Sequence, residues 1–476
     1  MTTKGSLLAM KSGIIEAALP KTFLDAVAIV RYLDIRFLWI DSLCIIQDDV
    51  QDWKIESAKM ADIYQNCVIN ISATGSSGAD SGLFYNNPNI ADKKLAAVTK
   101  NPDHKGIFVL SNDAEARGRH GFDGSSQLMA RGWVLQERLL SPRLLHFKHE
   151  LIFECRDDRV CECSDSNWPT AISSKANGDE LKLKTMSSKA LCSSWHNTVS
   201  DYAKLQLTYD SDILPAISGL AQLYRRYLGG SYVAGMWATS LASCLTWHVT
   251  YGQFWARRTS WVAPTFSWAC NKLGPHSKPS ISSVLWAGNS VNREYEILDF
   301  SQTLAGSDFT GQITQAHLIL KGLLYPVILE DCDERGTCFG LIATYEPLQA
   351  LTTGVRKWLY QDFNYKVLNQ SQHNTTLGTQ AYCFLLCSEH ATSHSLKDTI
   401  YLLVLKKTCE REGTAGEFER IGMMEYSDEY RLMPPNMAMR HTMLATGTME
   451  QSWADELRSL AGGESGIVED AIIWLV

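Results

Sequence analysis

The chain has 476 residues, 45% of them hydrophobic and 20% charged, with 14 tryptophans and a formal net charge of −8. That length exceeds one ordinary core and implies two or three domains. The "KLAAVTK" and "KLKLKT" runs are short and isolated, so the acidic balance lacks the basic stripe of a nucleic-acid binder.

No charged-then-apolar leader and no run of about 18 apolar residues is visible, so neither a signal peptide nor a membrane span is expected. The 13 cysteines lack a paired framework and read as reduced thiols of a cytoplasmic protein.

In chain order, "LPKTFLDAVAIVRYL" predicts a helix, with Thr22 as its cap and Phe23, Val27, Val30 and Leu33 at helical spacing. "RFLWI" predicts a buried strand, and a polar turn leads to a second helix from about Asp52 to Asn66. "CVINISA" reads as another strand, with "GSSGADSG" as a loop. "RGWVLQERLL" predicts a short helix ending before Pro142, and "RLLHFKHELIFEC" one or two strands. This rhythm implies an α/β layer with a mainly parallel sheet. The expected organisation is a first domain over 1–165, a polar linker over 166–190 and a C-terminal α+β region over 191–476. That last region is helical through "WHNTVSDYAKLQLTY" and "LPAISGLAQLYRRYL" and richer in strands beyond residue 260.

Asp41, Cys44 and Gln47 follow directly on "RFLWI". Ligands of open parallel sheets bind outside the carboxyl ends of the strands, which makes these three candidate binding residues. Asp41 as a turn cap and Cys44 as a small core residue are the plainer readings. On the second helix Glu56 falls among Trp53, Met60, Ile63, Tyr64 and Cys67. A carboxyl on such a face pairs or keeps its proton. Glu56 is therefore a candidate acid, or one half of an ion pair with Arg36 or Arg131. On the short helix Trp133, Gln136, Glu137 and Leu140 share a face, with Arg131 and Arg138 at other angles. Trp133, Gln136 and Arg131 either read a ligand or latch the helix onto its neighbours.

Cys155, Cys161 and Cys163 lack a second pair, and His146 and His149 do not alternate onto one face, so no metal site is expected. "GSSGADSG" lacks the lysine of a phosphate loop, and no G-x-S-x-G elbow is present.

The stretches "LPKTFLDAVAIVRYLDIRFLWIDSLCIIQDD", "DWKIESAKMADIYQNCVINISAT", "SGLF" and "RGWVLQERLLSPRLLHF" together resemble the heterokaryon-incompatibility (HET) domain of filamentous fungi. "LTYDSDILPAISGLA", "YVAGMW" and "APTFSWA" resemble segments that follow that domain in large fungal proteins. Family members carry an "ALSYCWG"-type strand before the first helix. None precedes it here, which implies a sheet one strand short.

The resemblance implies a role in non-self recognition, with protein partners or self-association triggering programmed cell death. It also implies a distant TIR-like layer, and some TIR domains cleave NAD with a glutamate. On that logic Glu56 or Glu137 is the catalytic acid, Asp41 and Gln47 line the pocket, and NAD is a substrate, with no resident cofactor. A third reading is an accessory protein or enzyme of a fungal secondary-metabolite pathway.

Overall fold

The computed structural model describes residues 1–84, 126–148, 151–161, 175–250, 255–273, 280–283, 291–331, 339–343, 356–361, 380–389, 399–427 and 468–476. The chain divides into two compact units, Met1–Tyr227 and Leu228–Val476.

The first unit opens with α1 (Leu7–Ser12), α2 (Lys21–Tyr32), the single turn α3 (Asp41–Cys44) and α4 (Val50–Gln65). Asp49 starts α4 by accepting from the backbone N–H groups of Gln51 and Asp52, donors that a helix leaves without intrahelical partners. Thr22 does not cap α2: Pro20 precedes the helix. The Thr22 hydroxyl instead accepts from Gly82 N–H at 3.1 Å, and its own N–H donates to Ala79 O. The "GSSGADSG" loop is thereby stapled to the start of α2. Asp25 completes the staple by accepting from Leu83 N–H at 2.8 Å.

Next come β1 (Asn70–Ser72), α5 (Gly132–Leu140), β2 (Arg143–Phe147), β3 (Leu151–Cys155) and β4 (Arg159–Cys161). The sheet runs β1-β2-β3-β4. Only its β1–β2 pairing is parallel; β2–β3 and β3–β4 are antiparallel. The expected mainly parallel sheet is therefore not what the described residues form, for two reasons. "RFLWI" enters no ladder, and β2 to β4 follow one another too closely for crossover helices.

The unit closes with α6 (Glu180–Thr185), α7 (Ser188–Ala203) and α8 (Pro215–Leu228). Within the segment expected as a linker, 175–190 folds into helical turns that bury Asp179 and Leu183. Residues 166–174 lie outside the described residues. Helix α8 carries Gly219 where α4 and α5 press closest. A Cβ there would meet the Ala61 Cβ at 2.4 Å and the Gln136 Oε1 at 2.8 Å, so only glycine fits.

The second unit starts with β5 (Tyr232–Val233), β6 (Met236–Trp237) and α9 (Leu241–Leu245). The pairs β7 (Trp247–Thr250) with β10 (Ser280–Ser283), and β8 (Trp255–Arg257) with β9 (Asn271–Leu273), follow. Its main sheet contains β11 (Val291–Arg293), β12 (Tyr295–Leu304), β13 (Ile313–Asp331), β14 (Phe339–Ala343) and β15 (Arg356–Gln361). It is completed by β16 (Gln380–Glu389), β17 (Thr399–Cys409), β18 (Gly416–Ser427) and β19 (Val468–Leu475).

Strands β13, β16, β17, β18 and β19 close on themselves, because the long β13 pairs β19 along one stretch and β16 along another. Closure into a barrel removes the open edges that a flat sheet exposes. Arg420 of β18 is fully buried, donates to Leu245 O at 2.7 Å and lies 3.8 Å from the Trp247 ring centroid. It clips the α9–β7 segment to the barrel. Beyond residue 260 the expected strand-rich character is present, as a barrel. Among the described residues no helix is long and apolar enough to cross a membrane.

Candidate functional site

Glu137 sits in the last turn of α5, and its position is fixed through the backbone. The Glu137 carbonyl accepts from Ser141 Oγ at 2.6 Å and from Asn70 Nδ2 at 3.4 Å, and Asn70 also donates to Ser141 Oγ at 3.0 Å. Ser141 N–H also donates to that carbonyl, at 3.4 Å, and the Asn70 bonds tie α5 to β1. At the other end of α5, Gly132 N–H donates to Gln206 O, and Gln206 N–H to Ala130 O, both at 2.7 Å. A Cβ on Gly132 would come within 2.6 Å of Leu207 Cδ2. The backbone around Arg131 is thus clamped.

The carboxyl of Glu137 meets three groups. Burial raises its pKa from the usual 4.5, the negative charge of Asp41 raises it further, and the positive charge of Arg131 and hydrogen bonding from Tyr64 oppose them; the balance is about 7. Tyr64, in the last turn of α4, is itself raised by burial first and by Glu137 and Asp41 next. The Trp39 ring stands edge-on to Tyr64, with centroids 5.7 Å apart at 78°. Asp41 and Arg131 are exposed and Glu137 and Tyr64 half-buried, so the group forms a rim that solvent reaches.

The Asp41 turn is held independently of that rim. Thr2 pairs with it through Thr2 N–H to Ser42 O at 2.8 Å, Thr2 Oγ1 to Leu43 O at 2.7 Å and Gln47 N–H to Thr2 O at 2.9 Å. Ile46 N–H donates to Asp52 Oδ2 at 2.7 Å. Gln47 closes the turn, donating from Nε2 to Ile45 O at 3.0 Å and Asp41 O at 3.3 Å. Cys44, at the end of α3, is exposed.

The other sequence candidates go elsewhere. Glu56 is not sealed on a buried face but pairs with Lys59 at 2.8 Å, in place of Arg36 or Arg131. Trp133 stands edge-on to Trp53 at 6.4 Å and donates from Nε1 to Asp212 at 3.1 Å. Gln136, 1% exposed, accepts from Gly219 N–H at 2.7 Å. Trp133 and Gln136 therefore make the latching bonds. Tyr64 and Trp39 were missed as site residues. Tyr64 read as packing and Trp39 as a strand residue, and their only signal was position next to the acids.

A second acid lies nearby with another character. Glu154 on β3 is 1% exposed and accepts from Arg138 Nε at 2.8 Å and Nη2 at 2.6 Å, and from Arg159. Its carboxyl is held far below the usual range although burial alone would raise it; hydrogen bonds from His146 and Arg138 outweigh the burial. His146 lies 3.2 Å from Glu154 and 3.1 Å from the Thr74 hydroxyl, and burial lowers its pKa. His149 and Cys163 lie outside the described residues. Among those described, no cluster of His, Cys, Asp and Glu is arranged to hold a metal ion.

Chemically, the Glu137 rim holds a carboxyl that exchanges its proton near neutral pH, beside a fixed carboxylate, a guanidinium, a phenol and an indole. No curated protein and no solved structure matches the chain. Residues 4–137 match the family model described as heterokaryon incompatibility protein (HET), a span that ends on Glu137 itself. The match supports a HET domain over residues 4–137 of the chain.

Proposed function

We propose that this HET domain acts in non-self recognition by cleaving NAD at the Glu137 rim, with cell death as the outcome of unrestrained cleavage. The observation that carries this is the half-buried Glu137 carboxyl grouped with Asp41, Arg131 and the Trp39–Tyr64 pair, where burial first and the Asp41 charge next raise its pKa to about 7. Displaced acid pKa values cluster at functional sites, and here the shift runs upward without the arginine pairs that make Glu154 structural.

In the proposed reaction the bond between ribose C1′ and the nicotinamide nitrogen breaks. Its electron pair leaves with the ring, which departs as neutral nicotinamide. The positive charge stays on the ribose as an oxocarbenium-like centre. Ionised Glu137 stabilises that charge and takes the proton from the water that adds at C1′. Asp41 keeps the rim negative, Arg131 faces the diphosphate, and Trp39 with Tyr64 offers the apolar wall for the departing ring.

The test is free nicotinamide released by purified full-length protein. Wild type and Glu56→Gln should release it alike, and Glu137→Gln should fall to background. Background release from wild type would overturn the reading.

A second reading, death signalling through protein contacts, draws support from the exposed Tyr32 and Phe37, 90% and 83% accessible. It predicts that Glu137→Gln still kills when expressed in a fungal host, and a harmless Glu137→Gln would contradict it.

A further inference from the structure

After α2 the chain turns at Asp34, whose φ of 56° is left-handed, and runs through Ile35–Ile40 without helix, turn or ladder. It reaches Ile40 in an extended conformation, φ −134° and ψ 122°. Ile35 N–H donates to Val30 O, and Ile40 O accepts from Leu43 and Cys44. Between these anchors, and among the described residues, the N–H groups of Arg36 to Ile40 and the carbonyls of Ile35 to Trp39 have no hydrogen-bond partner. The segment is pinned at both ends and open along its length. It also lacks the proline or bulge with which edge strands are blunted.

We propose that Arg36–Ile40 pairs antiparallel with the same segment of a second copy of this chain, about a two-fold axis through Leu38. The sequence is self-complementary in that register. Phe37 faces Trp39 of the second copy, an aromatic cross-strand pair, and Arg36 faces Ile40. A parallel in-register pair would set Arg36 against Arg36, which like-charge repulsion disfavours. Phe37, 83% exposed, would gain a partner ring, whereas Trp39 already rests against Tyr64. An antiparallel pair of this kind is isologous and closes after two copies, so it makes a dimer and not a fibre. So short a ladder gives a weak dimer that forms with rising concentration. The pairing shares Trp39 with the proposed NAD site but does not rest on its chemistry.

The test is sedimentation of the full chain over a concentration series. Wild type should pass from monomer to dimer, and Phe37→Lys, a change at an exposed position, should raise the dissociation constant about tenfold or more. On the axis, Leu38→Cys faces its own copy at disulfide reach. Oxidation should give more cross-linked dimer than wild type, which carries its own exposed Cys44 and Cys409. Leu8→Cys, at an 80% exposed position on α1, should add none. A wild type that stays monomeric throughout overturns the proposal. So does a dimer that Phe37→Lys leaves unchanged and Leu38→Cys fails to trap, or protection of the Arg36–Ile40 amides that arises only with a different protein.

Discussion

Two carboxyls meet helix α5 on different terms. Glu154 is sealed beneath it and receives Arg138 from the helix, Arg159 from its neighbouring strand and His146 from β2. Glu137, one residue before Arg138, is only half-buried, yet its strongest charged neighbour is another acid, Asp41. The more deeply buried acid is thus the more easily ionised. Burial alone does not mark a reactive group; burial without compensating charge does. Glu154 holds the sheet to the helix, and Glu137 stores a proton at a rim.

The largest way to break this contrast is Arg138→Met. It strips Glu154 of its bidentate partner and leaves a buried charge short of compensation, costing about 3–5 kcal/mol in urea unfolding at neutral pH. Because the folded carboxyl ionises far more readily than the usual 4.5, its stabilising contribution is present above that value. It is lost as pH falls through the acid range. Wild type should therefore lose stability on acidification more steeply than Arg138→Met.

Glu137→Gln should do the opposite. A carboxyl raised from 4.5 to about 7 favours the fold while protonated, so its contribution declines as pH rises across that window and reaches its minimum above it. The amide should stabilise the protein at pH 8 on the order of 1–3 kcal/mol and do little at pH 4. An equal shift at both pH values would place Glu137 with Glu154 as a structural acid.

Asp41→Asn is subtler. Removing the nearby negative charge should move the Glu137 ionisation down by about one unit. The acidic limb of nicotinamide release, below which ionised Glu137 is lost, would move down with it, read from its pH profile. The smallest effect belongs to Glu56→Gln. Its pair with Lys59 is partly solvated, so unfolding should change by no more than about 0.5 kcal/mol.

The sequence made the helices legible, because caps and 3.6-residue spacing are local. Pro142 marks the end of α5, whereas the cap expected at Thr22 is not one and the Asp49 cap of α4 went unread. It also marked Asp41, Arg131 and Glu137, since acids and bases beside apolar runs stand out. It misjudged Glu56, because periodicity gives the angle of a residue on a helix but not how far the neighbouring elements cover that angle. The parallel sheet and the barrel depend on pairings across long chain distances. "RFLWI" has the composition of a strand, yet composition does not provide a partner, and among the described residues its ladder positions have none. Tyr64 acquires its role from Glu137, 73 positions later in the numbering.

The most direct test is a carbon-13 titration of the side-chain carboxyls, with Glu137 assigned by its disappearance in Glu137→Gln. The account predicts a midpoint near 7 that drops in Asp41→Asn. A midpoint near 4.5, unmoved by that substitution, would contradict it.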